Sequence, residues 1–154
     1  MWLHGGGAER GGVDALVTLG SPHNPPPPDS PSPDQTRGIL TWCAANCPGA
    51  FHEGVRYATV ASSSVRGAAL GDDAPLSSKL AGVGYAAVCG DARAAGDAIV
   101  PVATAHLVDE RDGRAIKNVT LDDAFHSPLG SSPDRPWYGS PECIGAWVGA
   151  VVGE

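Results

Sequence analysis

The strongest constraint on the fold is the run Val13-Asp14-Ala15-Leu16-Val17-Thr18-Leu19, which stops at Gly20-Ser21-Pro22. It is short, mostly apolar and rich in β-branched residues, the pattern of a strand buried in a parallel sheet. Parallel strands need long crossovers, usually helical, so the rest of the chain must supply helices between strands. A proline-rich stretch delays the first of them: prolines concentrate between Pro22 and Pro33, and Pro25 to Pro28 are unbroken. Residues 22–34 therefore read as a stiff loop of polyproline II character.

Beyond that loop, residues 35–46 put Ile39, Leu40, Cys43 and Cys47 at helical spacing, with Asp34 or Thr36 as N-cap and Pro48-Gly49 as the stop. Val55 to Ala61 alternates as a second strand, and Ser62-Ser63-Ser64 reads as a loop. A second helix is expected from Pro75, its first residue, to Cys89, with Leu76, Leu80, Val83 and Val88 as apolar positions and Gly90 as its end. Gly96 to Pro101 reads as a loop and Ala115 to Leu121 as a third strand. The last helix is expected to start at Pro141 behind an N-cap at Ser140 and to run through Ile144, Trp147, Val148 and Val151. This alternation predicts an α/β fold, a parallel sheet flanked by helices. In such sheets the loops leaving the carboxyl ends of the strands carry the chemistry, which singles out Ser21-Pro22-His23, Asp97 and the segment before His126.

Composition narrows the partners. The 154 residues suit one domain, and 42% hydrophobic with 18% charged residues argues for a globular chain over a disordered one. Ten basic residues against 17 acidic give a net charge of −7, and no stretch clusters Lys or Arg as a nucleic acid would require. No apolar run approaches the roughly 20 residues that span a bilayer, and the N-terminus lacks signal-peptide regions. A soluble chain is expected, with plastid and cytoplasm both compatible. Cys43, Cys47, Cys89 and Cys143 form neither a CxxC pair nor a zinc-type His/Cys cluster, so no metal or other cofactor is expected. Cys43 and Cys47 read as small buried hydrophobes, and a Cys47–Cys89 bridge stays open.

Several segments together resemble a known family. They are Leu16-Val17-Thr18-Leu19-Gly20-Ser21-Pro22-His23, Asp34-Gln35-Thr36-Arg37-Gly38, Asn46-Cys47-Pro48-Gly49-Ala50, Gly96-Asp97-Ala98-Ile99-Val100-Pro101, Phe125-His126-Ser127-Pro128 and Arg135 to Pro141. In this order they resemble plant and algal α/β-hydrolases of the lipase/esterase type, distantly similar to the glycosylphosphatidylinositol inositol-deacylases. The resemblance implies that residues 1–154 form the C-terminal part of such a domain. It further implies that Asp97 is the acid and His126 the base of a Ser-His-Asp triad acting on a lipid or small acyl ester. An ester carbonyl needs a nucleophile deprotonated by an imidazole, and a carboxylate fixes that imidazole's tautomer and stabilises its charged form.

Plainer readings stand beside these. An Asp after Gly is ordinarily a turn residue, and a His before Ser-Pro is ordinarily a surface loop residue. His106 is a rival base; His126 is favoured because it follows the last strand. His23, at a strand end near the expected rim, suits a structural or substrate-lining role. His4-Gly5-Gly6-Gly7 looks like the oxyanion loop of some lipases, yet it precedes a later strand and reads as a flexible glycine loop. Asn118-Val119-Thr120 matches a glycosylation sequon inside an expected strand.

The nucleophile elbow G-x-S-x-G occurs nowhere in the chain. Trp2-Leu3 resembles the pair that follows the elbow in the family, which implies that Met1 stands just downstream of a missing serine. The chain as written is therefore expected to lack turnover, and an open sheet edge at Val13–Leu19 leaves three outcomes open: aggregation, pairing with another chain, or folding only against the absent segment. The alternative is a non-catalytic binding protein that offers its proline-rich loop to a partner. A transferase or lyase on the same fold is a weaker third reading.

Overall fold

The computed structural model describes residues 6–7, 11–30, 34, 36–108 and 116–152. Trp2-Leu3 and His4-Gly5, the prolines at 31 and 33, Gln35 and Ala115 lie outside the described residues. In chain order the elements are β1 (Ala15–Leu19), α1 (Ile39–Asn46), β2 (Arg56–Ser62), β3 (Val65–Arg66), α2 (Leu76–Cys89), β4 (Ala95–Gly96), α3 (Val102–Ala105), β5 (Ile116–Leu121) and α4 (Pro141–Val152). Strands β1, β2 and β5 form a parallel sheet with β2 in the middle, and β3 pairs antiparallel with β4 apart from it. The chain is thus α/β, a three-stranded parallel sheet flanked by helices.

Register gives the two faces of the sheet different characters. Leu19, Val60 and Val119 lie side by side, as do Thr18, Thr59 and Asn118. Alternation sends these two rows to opposite faces. The first face is apolar: Val60 and Leu121, with Val17, Leu19 and Val119, pack against Ala124, Tyr138 and, from α4, Cys143 and Trp147. On the second, Tyr57 packs with Leu16, Ile116 and Leu107 at one end, and Ala61 with Val100 and Ala105 at the other. The polar row Thr18, Thr59, Asn118 runs between those clusters. No helix among the described residues is long and apolar enough to cross a membrane.

The order of strands and longer helices matches the reading of the sequence, with local differences. Helix α1 begins at Ile39, because Arg37 and Gly38 are left-handed at φ 57° and 86°. The Asp34 carboxylate closes the preceding turn, accepting from Thr36 N at 2.8 Å and Gly38 N at 2.9 Å. Helix α1 buries no residue, so Cys43 and Cys47 are half-buried rather than core, and all four cysteines, Cys47 and Cys89 included, are free thiols. The expected serine loop ends β2 at Ser62 and leads into β3; two-residue strands such as β3 and β4 are too short to show a period. The short α3 was likewise not expected. Ser140 precedes α4 as proposed, but its hydroxyl accepts from Trp137 N at 2.9 Å, behind the helix.

The largest difference concerns which face of α2 is inward. Leu76, Leu80 and Val83 are 71%, 64% and 51% exposed, while Ala81, Gly82 and Tyr85 are buried. Close approach decides it: a Cβ on Gly82 would lie 2.0 Å from Ala68 O and 2.7 Å from Ala92 O. Gly84, two residues on, faces open space. In urea unfolding, Gly84→Ala is expected to stabilise the fold by about 0.5–1 kcal/mol, as an ordinary helix glycine would. Gly82→Ala, which forces two backbone segments apart, should destabilise it by about 1–3 kcal/mol.

Candidate active site

Three stretches of backbone meet at the carboxyl edge of the sheet. Gly20, just past β1, donates its N–H to Val60 O at 2.8 Å. After β4 the chain makes a tight turn in which Asp97 N donates to Val100 O at 3.2 Å, with Ala98 held left-handed at φ 82°. Ala98 N donates to Tyr85 Oη at 2.9 Å, and that hydroxyl donates to Val65 O at 3.3 Å, so α2 supports the turn. Burial pushes the Tyr85 phenol up to about 12. Beyond β5, Phe125 N donates to Pro136 O at 2.8 Å and His126 N to Asp97 O at 3.0 Å, tying both loops together.

Asp97 is fully buried and its carboxylate accepts four hydrogen bonds. Oδ1 takes Ile99 N at 3.0 Å and Val100 N at 2.7 Å. Oδ2 takes His126 Nδ1 at 2.9 Å and the Tyr138 hydroxyl, also at 2.9 Å. A buried carboxylate is tolerated only with such a shell of donors. The hydrogen bond to Asp97 raises the His126 pKa above the ordinary histidine value, with burial opposing and the Asp97 charge assisting. Burial first, then the Asp97 charge, drives the Tyr138 phenol far above its usual range. Because Oδ2 can only accept, the neutral His126 ring carries its proton on Nδ1 and its lone pair on Nε2. The ring is about one-third exposed, and no group among the described residues hydrogen-bonds Nε2. An imidazole held this way is built to accept a proton.

Gly20 is wedged into this cluster. With φ +56°, its missing Cβ would stand 2.4 Å from Asp97 Oδ2, 2.8 Å from the Tyr138 ring and 3.1 Å from His126 Nδ1. Beside His126 opens a cleft of about 440 Å³ walled by Pro22, Pro26, Leu40, Val88 and Ile99, with Asn24, Asp34 and Thr36 adding polar edges. Its proline wall is fastened down: His23 N donates to Thr104 O at 2.7 Å and Ser30 Oγ to Ala87 O at 2.6 Å. Most of residues 21–30 are consequently half-buried.

The other histidines are bound to the polar face of the sheet. His106 lies between Thr59 Oγ1, 2.9 Å from Nδ1, and Thr120 Oγ1, 2.8 Å from Nε2, so both its nitrogens are engaged and, among the described residues, neither meets a carboxylate. Thr59 in turn donates to Asn118 Oδ1 at 2.6 Å, and Asn118 Nδ2 donates to Leu107 O at 3.1 Å, which occupies the sequon asparagine. His23 Nε2 sits 2.9 Å from Thr18 Oγ1, while its neighbours Pro22 and Asn24 line the cleft. Burial lowers the pKa of both His23 and His106, and His106 adds repulsion at His23. Of the residues singled out in the sequence, Asp97 and His126 are brought into contact. Tyr138 and Gly20 completed the cluster without being given a role beforehand, since no spacing rule marks a tyrosine from a distant loop. No family model matches the chain, and neither does any curated protein or solved structure.

Two outcomes follow from this geometry. Gly20→Ala should cost about 1–3 kcal/mol from the left-handed backbone alone. It should also broaden or shift the His126 ring signals in an NMR spectrum, because the added methyl intrudes on the carboxylate. Stability should peak near about pH 6.5, the unfolded histidine value. The raised His126 contributes fully below that point and loses its contribution as pH climbs through its folded pKa; the lowered His23 and His106 lose theirs as pH drops below it. Unfolding midpoints measured from about pH 5 to 8 should show the acid limb flattened by combining His23→Gln with His106→Gln, and the alkaline limb flattened by His126→Gln.

Proposed function

We propose that Asp97 and His126 serve as acid and base of a Ser-His-Asp triad, and that the chain is part of an α/β-hydrolase acting on carboxylic esters of lipids or other acyl groups. The observation that carries this reading is the 2.9 Å contact between a fully buried carboxylate and a partly exposed imidazole at the carboxyl edge of a parallel sheet. In this reading Nε2 of His126 removes the serine proton as the hydroxyl oxygen adds to the ester carbonyl. The resulting imidazolium is stabilised by Asp97, then returns the proton to the departing alcohol. Water repeats the cycle on the acyl-enzyme.

The nucleophile has to come from outside these 154 residues, because they contain no G-x-S-x-G. The sheet leaves room for it: β1 is paired on one side only among the described residues. A strand laid parallel along its other edge would end at the rim that Gly20 and His126 share, and pairing there would satisfy β1's open N–H and C=O groups. The mostly apolar cleft beside His126 suits the acyl portion of a substrate. The docking of the proline segment onto α2 and α3 favours this reading over a non-catalytic module that presents that loop to a partner.

The test is an assay of p-nitrophenyl esters with a protein that joins this chain to a G-x-S-x-G segment. Asp97→Asn and His126→Ala should each lower kcat/KM by about 10³–10⁴-fold. The rate should rise with pH through a midpoint above about 6.5, since the base acts when neutral and its pKa is raised. Undiminished rates in both variants would exclude the triad.

A further inference from the structure

Oδ2 of Asp97 serves two donors at equal distance, His126 Nδ1 and the Tyr138 hydroxyl, both at 2.9 Å. A carboxylate oxygen has two in-plane lone pairs, so both are occupied. Oδ1 is fixed separately by the backbone of Ile99 and Val100. The phenol is itself firmly placed: Tyr138 is 2% exposed, and its carbonyl accepts the Trp147 indole N–H at 2.8 Å from α4. Val60, Leu121, Ala124 and Cys143 form one apolar cluster with it, and among the described residues its hydroxyl hydrogen-bonds Asp97 Oδ2.

We propose that Tyr138 is a positioning residue of the Asp97–His126 pair, its hydroxyl locking Oδ2 in place and drawing off part of the negative charge that would otherwise act on the imidazole alone. The catalytic meaning of this rests on the hydrolase reading; the coupling itself does not. Two effects follow. The carboxylate cannot rotate about its Cβ–Cγ bond, so the His126 ring keeps one orientation. The imidazolium is also held less tightly than by an undivided carboxylate, which keeps the base able to release its proton. The titratable groups around the junction are Asp97, His126, Tyr85 and Cys143, and Tyr85 is already engaged with Ala98 N and Val65 O.

The experiment is an NMR titration of the chain itself, following ¹³Cε1 of His126, assigned with His126→Gln. Tyr138→Phe keeps the ring and removes only the hydroxyl. Its His126 acid ionisation constant is expected to fall about 3- to 10-fold, the equivalent of one hydrogen bond. A folded variant with an unmoved midpoint overturns the proposal, because packing alone would not change the titration. Should the variant not fold, the wild-type chain labelled at tyrosine ¹³Cζ decides: the Tyr138 resonance must step at the His126 midpoint through the shared oxygen, and no step there overturns the proposal. Turnover is not involved, so a coupled titration in this chain, together with undiminished ester hydrolysis by Asp97→Asn and His126→Ala in the protein joined to a G-x-S-x-G segment, would refute the hydrolase reading while sustaining the coupling.

Discussion

Taking a carboxylate out of water costs several kcal/mol even after relaxation, and Asp97 has none of its surface exposed. The compensation comes from donors that are far apart in sequence: the Ile99 and Val100 amides, the His126 ring and the Tyr138 hydroxyl. Each donor imposes a condition on its own segment. The two amides converge only if Ala98 accepts a left-handed backbone, a strain of about 1–3 kcal/mol that Tyr85 helps to hold from α2. Gly20 has to remain without a side chain for the carboxylate to fit at all. The loops at the carboxyl edge are therefore coupled through one buried charge, and none of them has its observed shape independently of the rest.

Strand register determines what can approach that charge. Because alternate residues face opposite ways, the row Leu19, Val60, Val119 gives α4 an apolar bed, and α4 then fixes Tyr138 through Trp147. In the opposite row, His23 and His106 each bring a ring nitrogen to a threonine hydroxyl, that of half-buried Thr18 and that of buried Thr59, which also donates to Asn118 Oδ1. Those two rings serve as hydrogen-bonding fillers of the sheet face, which explains why burial disfavours their charged forms. His126, by contrast, meets a carboxylate and favours its charged form. The same residue type thus takes opposite electrostatic roles according to which partner the fold provides.

The sequence made the framework legible where the signal is local. A β-branched run ended by Gly-Ser-Pro located β1, Gly90 marked the end of α2, and Pro141 marked the start of α4. Asp97 and His126 could be singled out because strand-end position and motif resemblance pointed to the same residues. What could not be read depends on contacts between distant segments. Tyr138 is an ordinary tyrosine until α4 and β1 enclose it, and Gly20 is an ordinary strand terminator until Asp97 arrives beside it. The start of α1 was obscured because Arg37 adopts a left-handed backbone that its side chain does not announce.

Helix α2 shows why a clear apolar period can mislead. Of the apolar positions Leu76, Leu80, Val83 and Val88, the first three share one face, and apolar spacing alone assigns that face to the core. Packing selects the face of Ala81, Gly82 and Tyr85 because only small residues let the helix come within contact of the Ala68 and Ala92 backbones. That close approach carries Tyr85 deep enough for its hydroxyl to reach both Val65 O and Ala98 N. It also turns Gly84, Ala87 and Val88 toward the proline segment, where they form one wall of the cleft beside His126. Had the leucine face packed inward, its bulk would have held the helix off these backbones, and the turn that presents Asp97 would have lost its support from Tyr85. The choice of face that the hydrophobic pattern misassigns is thus the one on which the geometry of the carboxylate depends.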